Sequence, residues 1–253
     1  MENNMVLKYE TPLIEGIIEK RKSQFTIDVC IDNEVLTCHC PTTGRIGNID
    51  LSGILCLLSK SDNPKRKTPY TVEAVSLDLP ESKEKSWIGI NQNAANRYVE
   101  NALVKGLFQD MVSGYDTVLR EQVLGISKLD FLVGNIYIEV KMPLLSIQLP
   151  YPKHIKTKKV GKFNSTERFI KHINELAGSL VSNQRAILLV CFIYDNPGFK
   201  VEVRSTGSDF VESEVQKCIS KGIEIWQVNF SISKDGVRLQ KYFEITHNFM
   251  EKD

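Results

Sequence analysis

The sequence predicts an α/β (α+β) protein in two parts: a small OB-like β-barrel over residues 1–90 and a mixed sheet flanked by helices over residues 91–253. Three observations carry this. Short apolar-alternating runs, separated by turn residues, crowd the stretch before residue 91, as in a small barrel or, as the alternative, a split sheet. Beyond it, helical and strand periods alternate, which calls for a sheet covered by helices. Finally, Gly134-Asn135 joins two alternating runs and marks a tight two-residue hairpin.

The barrel strands are expected at Leu13–Ile18, Phe25–Ile31, Val35–Cys40, Ile54–Leu58, Val72–Leu77 and Trp87–Ile90. Asp32-Asn33-Glu34 supplies one turn, and Cys40-Pro41, Asp62-Asn63-Pro64, Pro69 and Pro80 mark others. Two loops concentrate polar chemistry. One is His39-Cys-Pro-Thr-Thr-Gly-Arg45. The other, Ser61 to Tyr70, sets Lys65-Arg66-Lys67 between prolines, beside an aromatic ring. Such a loop suits phosphate contact and stacking, or else is a solvated turn.

A helix follows, capped at Asn93, with Ala95, Val99, Leu103 and Leu107 at helical spacing and an end at Gly114. Asn96 and Arg97 fall in its first turn, where they could reach a phosphate or solvate the helix start. Thr117–Leu124 is a strand, and the Gly134-Asn135 hairpin comes next. Residues 142–164 combine prolines with Lys153, Lys156, Lys158, Lys159 and Lys162, which reads as a mobile basic loop or a solvated insert. A helix from Ser165 or Thr166 to about Val181, an apolar strand Arg185–Tyr194, a helix Phe210–Ser220 and a strand Ile223–Ile232 complete the assignable elements.

Composition narrows the function. The chain has 253 residues, 42% hydrophobic and 25% charged, with a net charge of +1. That is ordinary globular chemistry, so any nucleic-acid contact must come from local basic patches. The six cysteines lie in apolar runs without a spaced framework, as expected of buried thiols in a reducing cytoplasm. Cys38-His39-Cys40 has no second cysteine pair, which argues against zinc. The start of the chain lacks a basic and apolar leader, and the longest apolar run, Ala186–Ile193, is too short for a bilayer, so no membrane partner is expected.

The hairpin holds the sharpest chemistry. Pairing Val133 with Ile136 sets Asp130 opposite Glu139, with Lys141 on the same face. Leu129, Phe131, Val133, Ile136, Ile138 and Val140 line the other face. Opposed like charges destabilise a strand pair. A divalent cation between them would turn repulsion into binding, with Lys141 beside it to hold a water or stabilise negative charge. The alternative is a solvated, charged hairpin face.

Asp130 with Glu139-Val-Lys141 resembles the Asp...Glu-X-Lys signature of the PD-(D/E)XK nucleases, and the element order after residue 91 matches their restriction-endonuclease-like core. Further segments resemble the sugar fermentation stimulation protein A (SfsA) family in that family's order. They are His39-Cys-Pro-Thr-Thr-Gly44, Ser61-Asp-Asn-Pro-Lys-Arg-Lys67, Asn91 with Ala95-Asn-Arg97, Asp130-Phe131, Tyr137-Ile-Glu-Val-Lys141, Lys171-His172 with Glu175-Leu176, and Gly222-Ile-Glu-Ile225. The resemblance implies an OB-like nucleic-acid-binding domain joined to a nuclease-like domain. Asp130, Glu139 and Lys141 would be catalytic, with Mg²⁺ or Mn²⁺ on Asp130, Glu139 and an upstream acid, Glu121. Lys65, Arg66 and Arg97 would contact the backbone, and Lys171 and His172 would contact phosphate or support the metal ligands. The expected partner is DNA or RNA, and a homodimer is left open.

Overall fold

In the computed structural model the described residues are 4–158, 166–183, 185–200 and 208–250. Strands β1 (Met5–Lys8), β2 (Ile14–Arg21), β3 (Thr26–Ile31), β4 (Glu34–His39), β5 (Leu55–Lys60), β6 (Tyr70–Ser76) and β7 (Ile88–Gly89) come first. β2 to β7 form one sheet in the order β4-β3-β2-β5-β6-β7, and a bridge from His39 to Thr71 joins β4 to β6 and closes the barrel. The β3–β4 turn works as its residues predict: Asp32 and Asn33 take φ of 50° and 67°, the left-handed pair that a two-residue hairpin needs.

The first strand departs from expectation. β1 leaves the barrel and pairs antiparallel with the chain's last strand, burying Val6. Four residues are too few to show a period, so nothing local announces this pairing.

The second sheet runs β1-β13-β12-β11-β10-β9-β8. Its other strands are β8 (Val118–Leu124), β9 (Ser127–Val133), β10 (Ile136–Lys141), β11 (Arg185–Phe192), β12 (Glu224–Ile232) and β13 (Gly236–Glu244). Among the described residues of this sheet only β10–β11 and β11–β12 are parallel. Helix α1 (Gln92–Val104) covers one face, packing Tyr98, Val99 and Leu103 on Phe131, Ile187 and Phe230. Helices α2 (Glu167–Gly178) and α3 (Ser208–Ser220) cover the other, packing Ile173, Leu176 and Cys218 near Leu188, Val190 and Ile225. The continuous apolar run of β11 is therefore a central strand buried on both faces, as predicted.

Two details of α1 differ from expectation. Its cap is Asn91, whose Oδ1 accepts from the Ala94 amide at 3.2 Å while its Nδ2 donates to Glu73 at 2.8 Å, tying the helix to the barrel. It also ends well before Gly114, because Gly106, at φ 64°, stops it one turn after Leu103.

The described part of the basic loop, 142–158, is a strap lying against the barrel. Leu144 and Ile147 are buried in the core that the barrel shares with the α2 side of the second sheet, with Ile147 against Gly47. The Gly47 amide donates to Leu144 O, Asp50 N to Lys156 O at 2.8 Å, and Lys158 N to Asn48 O at 2.7 Å. The lysines stay outward while the two apolar residues anchor the segment. Lys159 and Lys162 lie outside the described residues.

The two sheets also meet directly. Gly89 N donates to Ile193 O at 2.8 Å, and Glu15 pairs with Lys85 and Lys234. A Cβ on Gly89 would strike the Ile193 side chain. Gly89→Ala is therefore expected to lower stability by ~1–3 kcal/mol through overpacking, read as a shifted midpoint in urea unfolding.

Candidate active site

The hairpin register is the one the sequence dictates: Val133 pairs with Ile136, Leu132 with Tyr137 and Phe131 with Ile138. Gly134 takes φ 55° at the turn. The ladder then stops. β10 continues along β11 to Lys141, but β9 turns away after Phe131, and Leu129 joins the core under α2 instead of the α1 side. Asp130 and Glu139 thus meet in a splay between two strands and not as a ladder pair. Asp130 closes the gap itself, its Oδ2 accepting the Val140 amide at 2.8 Å.

Each acid is held by a helix. Asn96 of α1 donates through Nδ2 to Asp130 Oδ1 at 2.7 Å. His172 of α2 meets Glu139 Oε1 through Nδ1 at 2.5 Å, and Lys141 donates to that same oxygen. Glu139 is 1% exposed, yet its Oε2 has no hydrogen-bond partner. An unsatisfied buried polar atom costs ~1–3 kcal/mol, and more when charged. Burial, and then the neighbouring Glu139 charge, push the Asp130 carboxyl above the ordinary aspartate range.

These features fit a divalent cation. A buried carboxylate oxygen without a partner lies beside a carboxylate that resists ionisation, and a cation relieves both conditions. Among the described residues no group of three or more His, Cys, Asp or Glu is arranged for a metal. A magnesium-type site does not need one, since one or two carboxylates plus water and substrate phosphate are its usual ligands.

Glu121 does not join this group. It sits at φ 50° on edge strand β8, where its carboxylate pairs with Lys128 at 2.8 Å. Asn96 holds the Asp130 carboxylate. Lys171 donates to Ile126 O at 3.2 Å, while Glu175 accepts the Ile126 and Ser127 amides, so one turn of α2 clamps the β8–β9 turn. Arg97 is exposed, its guanidinium 5.6 Å from the Tyr98 ring centre.

On the barrel, Lys65, Arg66 and Lys67 are exposed on the β5–β6 turn. Asn63 shapes that turn by accepting the Lys65 amide on its side chain and the Arg66 amide on its carbonyl. Arg66 also donates to Thr71 Oγ1 at 3.1 Å. Arg45 is exposed on the β4–β5 loop, which is organised by a residue the sequence gives no reason to single out. Arg21 donates to the carbonyls of Ser23, Gln24, Thr42 and Gly44. Two of those partners lie about twenty residues away, beyond any local pattern.

Two family models match this chain. Residues 20–90 match the family model described as the SfsA N-terminal OB domain, and residues 93–236 match that of the sugar fermentation stimulation protein RE domain. A sugar fermentation stimulation protein homolog of Synechocystis sp. is 34% identical over 244 residues, covering 90% of this chain and 93% of that protein. The Brucella ovis homolog is 30% identical over 234 residues, covering 90% and 93%. The solved structure of Pyrococcus furiosus SfsA in complex with Ca²⁺ shares the fold, with a TM-score of 0.72 at 19% identity over 94% of this chain and 97% of that one. Among the described residues no helix is long and apolar enough to cross a membrane.

Proposed function

The chain belongs to the sugar fermentation stimulation protein family, and on that footing we propose that it is a nucleic-acid-binding, metal-dependent nuclease hydrolysing phosphodiester bonds of DNA or RNA. The observation that carries this is the partnerless buried Glu139 Oε2 beside Asp130. The Pyrococcus furiosus relative, solved with Ca²⁺, lends support, since Ca²⁺ is a hard, oxygen-seeking cation like Mg²⁺.

Asp130 and Glu139 would hold Mg²⁺ or Mn²⁺. The cation would act as a Lewis acid on a phosphoryl oxygen and help make a nucleophile at neutral pH. The chain's own groups do the rest. Asn96 and the Val140 amide fix the Asp130 carboxylate, and His172 fixes Glu139. Lys141 is about one-third exposed at its side chain, so its ammonium can meet an incoming phosphate and stabilise charge developing on it. Exposed barrel cations, Lys65 and Lys67 among them, would carry the strand through backbone contacts that do not depend on base sequence.

A second reading is a DNA-binding regulatory protein without productive cleavage. It draws on one feature: Lys141 and His172 both already engage Glu139 Oε1. Incubating labelled single- and double-stranded DNA and RNA with Mn²⁺ or EDTA separates the two. The nuclease reading expects product with Mn²⁺ and none with EDTA. Binding without product on any of the substrates would leave the regulatory reading.

A further inference from the structure

A basic hollow on the barrel lies outside the carboxylate site. A cavity of about 370 Å³ opens between the end of β2, the β4–β5 loop and the returning strap. Among the described residues Lys20, Arg21, Arg45 and Lys158 line it, against one carboxylate, Asp50. The whole chain carries only +1, so this surplus is local. A cleft with low-dielectric walls focuses such a field.

The walls are built and not merely exposed. Arg21 locks the β4–β5 loop through its bonds to the Thr42 and Gly44 carbonyls. Asp50 accepts from Ser52 N at 3.3 Å and pairs with Lys158 at 3.1 Å, fastening strap to barrel. A backbone bridge between Ile49 and Thr157 closes the join. The strap also connects the cavity to the carboxylates. Leu144, whose carbonyl accepts the Gly47 amide of the lining, is three residues past Lys141, hence at most about 10 Å of chain from it.

We propose that this cavity is a phosphate-binding subsite that takes the backbone of a nucleic-acid strand on its way to or from Asp130 and Glu139. A volume of 370 Å³ accommodates a sugar-phosphate unit and exceeds what a lone ion needs. The inference rests on the nucleic-acid-binding part of the proposed function and is independent of cleavage. It places the main backbone contact at the barrel–strap seam, with the β5–β6 turn secondary. A free phosphate ligand presents the same chemistry, so the test has an arm for each source.

The test is binding of a short labelled single-stranded oligonucleotide by fluorescence anisotropy, in EDTA, across a salt series. EDTA removes any cation contribution, so failure of the nuclease reading does not alter the outcome. Lys20→Ala/Arg45→Ala should weaken binding roughly tenfold and make the slope of log K against log salt shallower by about 0.7 for each phosphate that is no longer neutralised. Asp50→Asn keeps an acceptor for Ser52 and removes the opposing charge, so it should bind more tightly. Pyrophosphate that competes at micromolar concentration would identify a small phosphate ligand in the same cavity, whereas competition only by longer strands would identify the nucleic-acid backbone. Unchanged affinity and slope in both variants, with folding intact by circular dichroism, would overturn the proposal.

Discussion

Asp130→Asn should abolish cation-dependent cleavage while making the cation-free protein more stable at neutral pH. The first effect follows from losing a metal ligand. Even an outer-shell partner costs ~10–100-fold in affinity or activity when removed, and a direct carboxylate should cost more. The second follows from linkage. The folded protein holds a proton on Asp130 more tightly than the unfolded chain does, because burial and Glu139 oppose its ionisation. Stability from this group is thus present below the ordinary aspartate pKa of about 3.9 and is lost as pH rises through the raised value. Above that value the ionised side chain is a liability that asparagine removes, and the Asn96 amide can turn over to accept from the new Nδ2. The gain should show as a higher Tm above the raised range and should vanish near pH 4. Thermal melts in EDTA at pH 4 and pH 7 check it. A lower Tm at pH 7 would mean that Asp130 is a structural acid.

Lys141→Ala should separate binding from chemistry. Removing a group that stabilises transition-state charge costs about 10²–10³ in rate. Cation binding should hold or improve, because Lys141 and a cation compete for Glu139. The variant leaves a buried carboxylate with His172 as its remaining partner, so added Mn²⁺ should raise its Tm more than it raises that of the unaltered protein. Loss of cation binding together with activity would instead make Lys141 a scaffold for the site.

Affinity for the cation should also rise with pH through the elevated Asp130 range, since metal and proton compete for that carboxylate. The rise should be absent in Asp130→Asn.

What the sequence discloses about this site divides by range. The hairpin register is legible because side-chain period and turn chemistry are local, and both point to one pairing. It brings Asp130 and Glu139 onto neighbouring strands, though not as the ladder pair it predicts. The splay that replaces the expected Asp130–Glu139 pair is not legible, because the bonds found there, Asp130 to Asn96 of α1 and Glu139 to His172 of α2, come from residues distant in sequence. The helices also decide what their polar side chains meet: Asn96 bonds Asp130, and Lys171 bonds the β8–β9 turn. Charge type is visible in a sequence, but the partner that absorbs the charge is a tertiary fact. The strap shows the converse. Its lysines and prolines suggest a mobile loop or a solvated insert, while two apolar residues among them, Leu144 and Ile147, settle it on the barrel.

The most direct measurement is Mn²⁺ titration by calorimetry on the full chain. One Mn²⁺ should bind per chain, and binding should be lost in Asp130→Asn and in Glu139→Gln but kept when Lys65, Arg66 and Lys67 are all alanine. Undiminished Mn²⁺ binding in both carboxylate variants would contradict the assignment of these two acids as the cation's ligands.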